Sequence, residues 1–280
     1  MKAHIIKRLS FADYCAIDAV NFSTLKHIEV SPKHYAHAIR TRRPDSPALI
    51  FGRVLHEMIL DPTPPKVAIY EGKVRNGKAW DAFEAEHAGE TILRRSEIEN
   101  AAAMRAALLA DPVAGPLLVE GDGEVTLRFS ILDHACKGRI DWLLPNGAPC
   151  ELKTTKNISE RAFTRDVVTY QYAAQQAFYW GGLTAALGRE PPELPRMITV
   201  EKTPPYDVAV YRIGYDTIEA GQRMIDTWIK DLDTARRSKS WPGIARGREL
   251  DFRLPEWALT RGLEDVDLSG IEEGGNDDGR

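Results

Sequence analysis

Cysteine is scarce in this chain of 280 residues, and the scarcity excludes whole classes of site. Cys15, Cys136 and Cys150 are odd in number and widely spaced, which fits neither a disulfide framework nor a zinc site. They are also too few to hold a four-cysteine iron–sulfur cluster. Long apolar runs are missing as well: nothing approaches the ~20 residues that span a bilayer. The start, Met1-Lys2-Ala3-His4, has no signal-peptide core, so a cytoplasmic protein with no membrane partner is expected. Nor is there an excess of positive charge, since the formal net charge is −4, at first sight wrong for a nucleic-acid partner. The deficit is local. Residues 264–280 hold seven acids and one base, a net of −6, which leaves +2 for residues 1–263. A Gly-rich acidic tail of this composition is expected to be disordered and solvated. The mildly basic remainder is compatible with DNA without being evidence for it.

At 43% hydrophobic, the chain can bury a full core. The expected organisation is a single domain over 1–263, with an N-terminal helical region and a helical insertion at about 61–118. No internal repeat is visible. The most informative stretch is Gly138-Arg-Ile-Asp-Trp-Leu-Leu-Pro-Asn-Gly-Ala-Pro-Cys-Glu-Leu-Lys153. Apolar residues alternate through Val125, Leu127 and Phe129, resume through Ile140, Trp142 and Leu144, and stop at Pro145-Asn146-Gly147, a pattern that predicts two hairpins and a three-stranded antiparallel ribbon. Strand alternation puts Glu151 and Lys153 on one face, with Cys150 and Leu152 on the other. Asp141 and Glu151 are equidistant from Asn146, so an odd-numbered loop makes them cross-strand partners. Two close carboxylates repel unless a proton or cation lies between them. Oxygen donors without a cysteine cage suit a hard ion such as Mg²⁺ or Mn²⁺.

Asp141 followed by Glu151-Leu152-Lys153 resembles the P-D-(D/E)-x-K nuclease superfamily. With Lys137-Gly138-Arg139-Ile140-Asp141-Trp142 before it and Thr154-Thr155 after it, the pattern is similar to the exodeoxyribonuclease VIII type of phage recombination exonuclease. The resemblance extends over most of the chain. It implies an α/β fold with a restriction-endonuclease-like core, a small mixed sheet flanked by helices.

Ser31-Pro32 predicts the start of a helix carrying Lys33, His34, His37, Arg40, Arg42 and Arg43, a basic run that is either a solvated face or a phosphate contact. Asp45-Ser46-Pro47 opens a helix that runs to Leu60 and ends at Asp61-Pro62. Gly52 and His56 share a face of it, the glycine being read as allowing a close approach to a neighbouring sheet. The resemblance makes Gly-x-x-x-His a metal-ligating element. Within 61–118, Arg75-Asn-Gly-Lys-Ala-Trp80 looks like a family insertion expected to flank the DNA end, and Arg94 and Arg95 add further bases. Glu124 is a minor candidate for assisting a second metal. A helix is predicted over Asp166–Leu187, capped by Gly188, with Tyr172, Gln175 and Tyr179 on one face. In the resembled family, Gln-x-x-x-Tyr lines the active site and contacts the DNA strand. Strands are expected at 197–202 and 208–212, and Asp216-Thr-Ile-Glu219 reads as a capping box for a helix to about Ser238. Trp241-Pro-Gly and Leu254-Pro-Glu-Trp257 would close the folded part.

The resemblance thus implies a metal-dependent exonuclease acting on ends of linear double-stranded DNA, 5′ to 3′, in phage-type homologous recombination. Asp141, Glu151, Lys153, Gln175 and Tyr179 would be its catalytic residues. His56, Asp141, Glu151 and the Leu152 carbonyl would hold Mg²⁺, for which Mn²⁺ would substitute. A ring-shaped homo-oligomer and a single-strand annealing protein are the expected partners. A structure- or site-specific endonuclease, or a catalytically silent DNA-binding module of the same fold, are the alternatives.

Overall fold

The computed structural model describes residues 2–41, 46–60 and 66–259, with only the backbone of Ala48 and Trp257. Arg42, Arg43, Asp45, the Asp61-Pro62 stop and the boundary at 263 with the acidic tail after it lie outside the described residues. Two compact units are distinguished, Met1–Trp241 and Pro242–Arg280. In the second, one short helix is described, Glu256–Leu259.

The first unit opens with strand β1 (His4–Ile6), helices α1 (Phe11–Ala16) and α2 (Phe22–Leu25), a 3₁₀ turn and α3 (Pro32–Arg40). Helix α3 starts as its sequence predicts: the Ser31 hydroxyl accepts the His34 N–H and Pro32 occupies the first turn. Next come α4 (Pro47–Leu60), β2 (Val67–Tyr70), α5 (Gly77–Glu86), β3 (Thr91–Arg94), α6 (Arg95–Ala110) and α7 (Ala114–Leu117). The remainder is β4 (Asp122–Ile131), β5 (His134–Leu143), β6 (Pro149–Thr155), α8 (Glu160–Thr169), α9 (Tyr172–Leu187), β7 (Arg196–Glu201), β8 (Val208–Arg212) and α10 (Tyr215–Ser238).

Six strands form one mixed sheet in the order β1-β4-β5-β6-β7-β8. The predicted ribbon is its centre. Its first turn is Leu132-Asp133, both with positive φ, as a two-residue hairpin whose twist matches the strands requires. Its second is closed by Gly147 at φ 83° and by the Asn146 side chain, which accepts the Ala148 N–H. Strand β7 returns parallel to β6, and β8 antiparallel to β7.

Helices cover both faces. Val125, Leu127, Phe129 and Ile140 pack against Ala174, Phe178 and Leu183 of α9 and Ile225, Trp228 and Ile229 of α10. On the other side Trp142, Cys150, Leu152, Ile198 and Val200 join Leu55 of α4 and Met104 and Leu108 of α6. Glycine brings α9 against the strands: a Cβ at Gly138 would lie 2.9 Å from the Tyr179 ring, and one at Gly182 2.7 Å from Phe129.

Several expectations need correction. The helix expected over 166–187 is two helices, broken where Gln171 takes a left-handed φ of 60°, although Gly188 does cap the second as predicted. The segment after residue 61 is not purely helical: β2 and β3 pair in parallel as a separate two-stranded sheet. Helix α10 is capped by Gly214 rather than by Asp216, whose carboxylate accepts the Thr217 N–H inside the first turn. Gly52 does not serve close packing, because a Cβ there would meet nothing within 4 Å.

The glycines therefore separate into distinct roles. A Cβ at Gly221 of α10 would stand 2.1 Å from the Ala173 carbonyl oxygen, which belongs to backbone and cannot swing aside. Gly221→Ala should cost at least about 2 kcal/mol, roughly 5 °C in melting temperature. Gly52→Ala should be neutral or stabilising, since helix propensity favours alanine and no neighbour is displaced. Thermal melts of the two variants check this.

Candidate active site

The ladder between β5 and β6 has only two pairs, Trp142 with Cys150 and Leu143 with Pro149. The same register would next oppose Asp141 and Glu151, but here the strands part and the carboxylates take over the main-chain bonds. The Leu152 N–H donates to Asp141 Oδ2 at 2.9 Å, and the Asp141 N–H to Glu151 Oε1 at 3.3 Å. Both acids are thus anchored by backbone, and the equal spacing about Asn146 sets them opposite one another in register though not as a ladder pair.

Glu151, only 1% exposed, is held further by Lys153 Nζ at 2.9 Å and by Gln175 Nε2 at 3.1 Å. Gln175 Nε2 also lies 3.3 Å from the Tyr179 hydroxyl. Tyr179 is buried beneath Gly138, and Gln175 links its hydroxyl to the Glu151 carboxylate. From the opposite helical layer, α4 brings His56 Nδ1 to 3.7 Å from Asp141 Oδ2.

Glu124 has a larger part than its sequence promised. It falls opposite Asp141 in the β4–β5 register but drops out of the ladder, because its backbone is left-handed at φ 55°. Ligand atoms of His56, Glu124 and Asp141 lie within 4.8 Å of one another. The candidate metal cluster among the described residues thus contains Glu124, while Glu151 is engaged with Lys153, Gln175 and the Asp141 amide. Arg139, on the same strand face as Asp141, pairs with Glu124 and donates to the Leu9 carbonyl at 3.0 Å. Its guanidinium lies 5.8 Å from the Phe11 ring centroid and 5.6 Å from that of Tyr14. Reading of the sequence gave Arg139 no role of its own, though its two-residue offset from Asp141 was a signal for it. The buried Lys137 anchors the same N-terminal segment, donating to the carbonyls of Tyr14, Cys15 and Ile17.

Of these residues His56, Glu124, Arg139, Leu152 and Lys153 line a cleft of about 1030 Å³, which Gly52 leaves open one helical turn from His56, with Asp141 and Glu151 set behind its wall. The predicted bases mostly lie elsewhere. Neither Lys33, His34, His37 and Arg40 nor Arg75, Lys78, Arg94 and Arg95 line it. Arg75 and Arg94 instead converge on Glu97, and Arg95 pairs with Glu71, holding the insertion together.

Burial dominates the electrostatics. It pushes the Asp141 carboxyl up to about 6, against the pull of Lys153 and the Leu152 amide. It pushes Glu151 up to about 7, with Asp141 adding to the rise and Lys153 opposing it. Burial alone would lower Lys153, but Glu151 and Asp141 more than reverse this, so the ammonium stays charged. For His56, burial and then Lys153 lower the pKa, which favours the neutral imidazole that ligates metals. Oxygen donors with one neutral imidazole fit a hard divalent ion, and a cation between Asp141 and its neighbours would relieve the repulsion that raises their pKa values.

Sheet order, flanking helices and this carboxylate–lysine arrangement define the PDDEXK class of fold. Residues 21–249 match the model of the PDDEXK-like domain of unknown function, DUF3799, and the chain belongs to that family. Among solved structures it is similar to a protein from Eubacterium rectale described as a candidate exonuclease. The TM-score is 0.60 at 14% identity, over 91% of this chain and 99% of that one, a likeness of fold. SSO0001 aligns at 13% identity over 64% of this chain and 84% of its own, but at a TM-score of 0.25 it carries no argument. No curated protein matches.

Both acids titrate higher folded than the ordinary 3.8 and 4.5 of Asp and Glu, so without metal they favour folding at low pH. That contribution is lost as pH rises from about 4 to 7. Metal-free wild type should therefore lose melting temperature more steeply than Glu151→Gln between pH 5 and 7, as parallel melts across pH would reveal. In calorimetry with Mn²⁺ at neutral pH, Asp141→Ala, His56→Ala and Glu124→Ala should each weaken binding at least about tenfold, and Lys153→Ala much less. Unchanged affinity in Glu124→Ala would return that residue to its ion pair with Arg139.

Proposed function

We propose that the protein is a metal-dependent DNA exonuclease that hydrolyses phosphodiesters at the ends of linear duplex. The observation that carries this reading is the convergence of Asp141, Glu151 and Lys153 with His56 and Glu124 at the gap between β5 and β6, with His56, Glu124 and Lys153 lining the cleft. Membership of the PDDEXK-like family and the fold shared with the candidate exonuclease support it.

In this reading Asp141, Glu151, His56 and the Leu152 carbonyl, with Glu124, hold Mg²⁺ or Mn²⁺. When bound, such an ion supplies Lewis acidity, polarising a phosphoryl oxygen and making water a better nucleophile near neutral pH. The chain's own groups do the rest. Lys153 keeps its protons beside Glu151, which removes it as a general base and makes it a donor to the attacking water or to a phosphoryl oxygen gaining charge. Gln175, braced by Tyr179, fixes the Glu151 carboxylate so that little reorganisation is left for the reaction itself. The 5′ to 3′ polarity, a role in phage-type recombination, a ring-shaped homo-oligomer and an annealing-protein partner belong to the same proposal and rest on the resemblance to exodeoxyribonuclease VIII.

Purified protein incubated with end-labelled linear duplex and with covalently closed circles, with and without Mg²⁺, tests it. Linear DNA should be degraded only with the ion, and circles should survive. Asp141→Ala, Glu151→Ala and Lys153→Ala should each fold and lose at least about a hundredfold in rate. Cleavage that persists in EDTA would overturn the metal mechanism, and nicking of circles at a comparable rate would favour the endonuclease.

A further inference from the structure

Large aromatic rings left in solvent are unremarkable when scattered, but two of this protein's lie in one cleft and approach the acidic cluster from its two ends. At one end is Phe11, 55% exposed, its ring 6.3 Å from that of Tyr14. The Arg53 and Arg139 guanidinium groups lie 6.0 and 5.8 Å from its centroid, and Arg139 pairs with Glu124. At the other end is Tyr170, 50% exposed and stacked at 5.6 Å on Tyr172. Lys153 Nζ stands 5.1 Å from the Tyr172 centroid while bonded to Glu151. The backbone fixes this second pair: α8 ends at Thr169, Gln171 takes the left-handed conformation, and α9 restarts at Tyr172, so Tyr170 sits in a break rather than on a helix face. A non-glycine residue held left-handed beside a reactive centre is a form of strain that persists only where the surrounding structure imposes it.

Inside a duplex each base has both faces covered by its neighbours, and only the outer face of a terminal pair is free. A single aromatic ring could cap that face, but two rings on either side of one phosphate gain contact only from bases that have left the stack, whereas an arginine can meet the phosphate of any strand. We infer that the cleft takes DNA as an unpaired strand, with Phe11 and Tyr170 as stacking platforms for the bases on either side of the phosphate presented to Asp141, Glu151 and Lys153. This rests on the nuclease reading and sharpens it: the substrate at the centre is a frayed or single-stranded end, and duplex must open there first. Stacking tolerates any base, which suits digestion without sequence preference.

The test uses the full chain in Ca²⁺, with short oligodeoxynucleotides bearing 2-aminopurine, whose fluorescence is quenched on stacking. Quenching is expected in single strands and at the terminal positions of a blunt duplex, and is not expected at its interior positions. Single strands should bind more tightly than blunt duplex of the same length. Phe11→Leu and Tyr170→Leu should each lose quenching and about tenfold in single-strand affinity, with melting temperature retained, and Tyr170→Phe should keep both. Digestion of linear duplex in Mg²⁺ is measured on the same preparations. Hydrolysis without quenching, or leucine variants that bind single strands as wild type does, would overturn the stacking inference and leave the nuclease reading standing. Quenching with no hydrolysis of any DNA would sink the nuclease reading and leave an unpaired-strand binding cleft.

Discussion

The structure turns on one interrupted pairing. β5 and β6 exchange ladder bonds at two positions and then separate, and a backbone amide left without its ladder partner inside a protein must find another acceptor. Asp141 and Glu151 meet that need for Leu152 and Asp141 respectively. The acids are thus part of the sheet's hydrogen bonding as well as of its chemistry. The gap also explains how two helical layers on opposite faces reach one place: His56 comes from α4, Gln175 from α9, and neither crosses an intact sheet.

Gathering carboxylates in a poorly solvated gap is costly, and the neighbours show how the cost is met. Lys153 supplies one positive charge and Gln175 a neutral donor, yet Asp141 and Glu151 remain well above ordinary carboxylate values, so the compensation is incomplete. A cation would complete it. Arg139 is the second balancing charge, placed at Glu124 and braced by the aromatic residues of α1, while Lys137 holds the end of that helix against β5. The N-terminal segment is therefore tied to the centre by two basic residues of a single strand. Removing the segment would leave Arg139 without the Leu9 carbonyl and the rings of Phe11 and Tyr14 that hold it at Glu124, and the cleft without its Phe11 wall.

Much of this was legible in residue order because its causes are local. Strand alternation has a period of two, so Glu151 and Lys153 had to share a face, and the odd-numbered loop about Asn146 that the structure shows sets Asp141 opposite Glu151 in register. Ser31-Pro32 and Gly188 mark helix ends through bonds and dihedrals that involve only nearby residues. The fold class and the carboxylate–lysine core follow from such rules together with the resemblance. Where the reading missed, a longer-range contact had intervened. Gly52 was taken for a packing glycine, yet it lines the cleft and a Cβ there would meet nothing within 4 Å.

The sequence by itself thus determined the ribbon and the side on which Lys153 stands, and it narrowed the partnership of Asp141 with Glu151 to the parity of one loop, since each depends on spacing along one hairpin. Only the tertiary structure decided that β5 and β6 diverge, that Glu124 turns left-handed toward His56, that Tyr179 lies buried behind Gln175, and that a predicted single helix breaks at Gln171. Each of these is a compromise between elements far apart in the chain. Its energy comes from packing α9 on glycines 138 and 182 and from satisfying buried charges across layers, quantities that no local window of sequence contains.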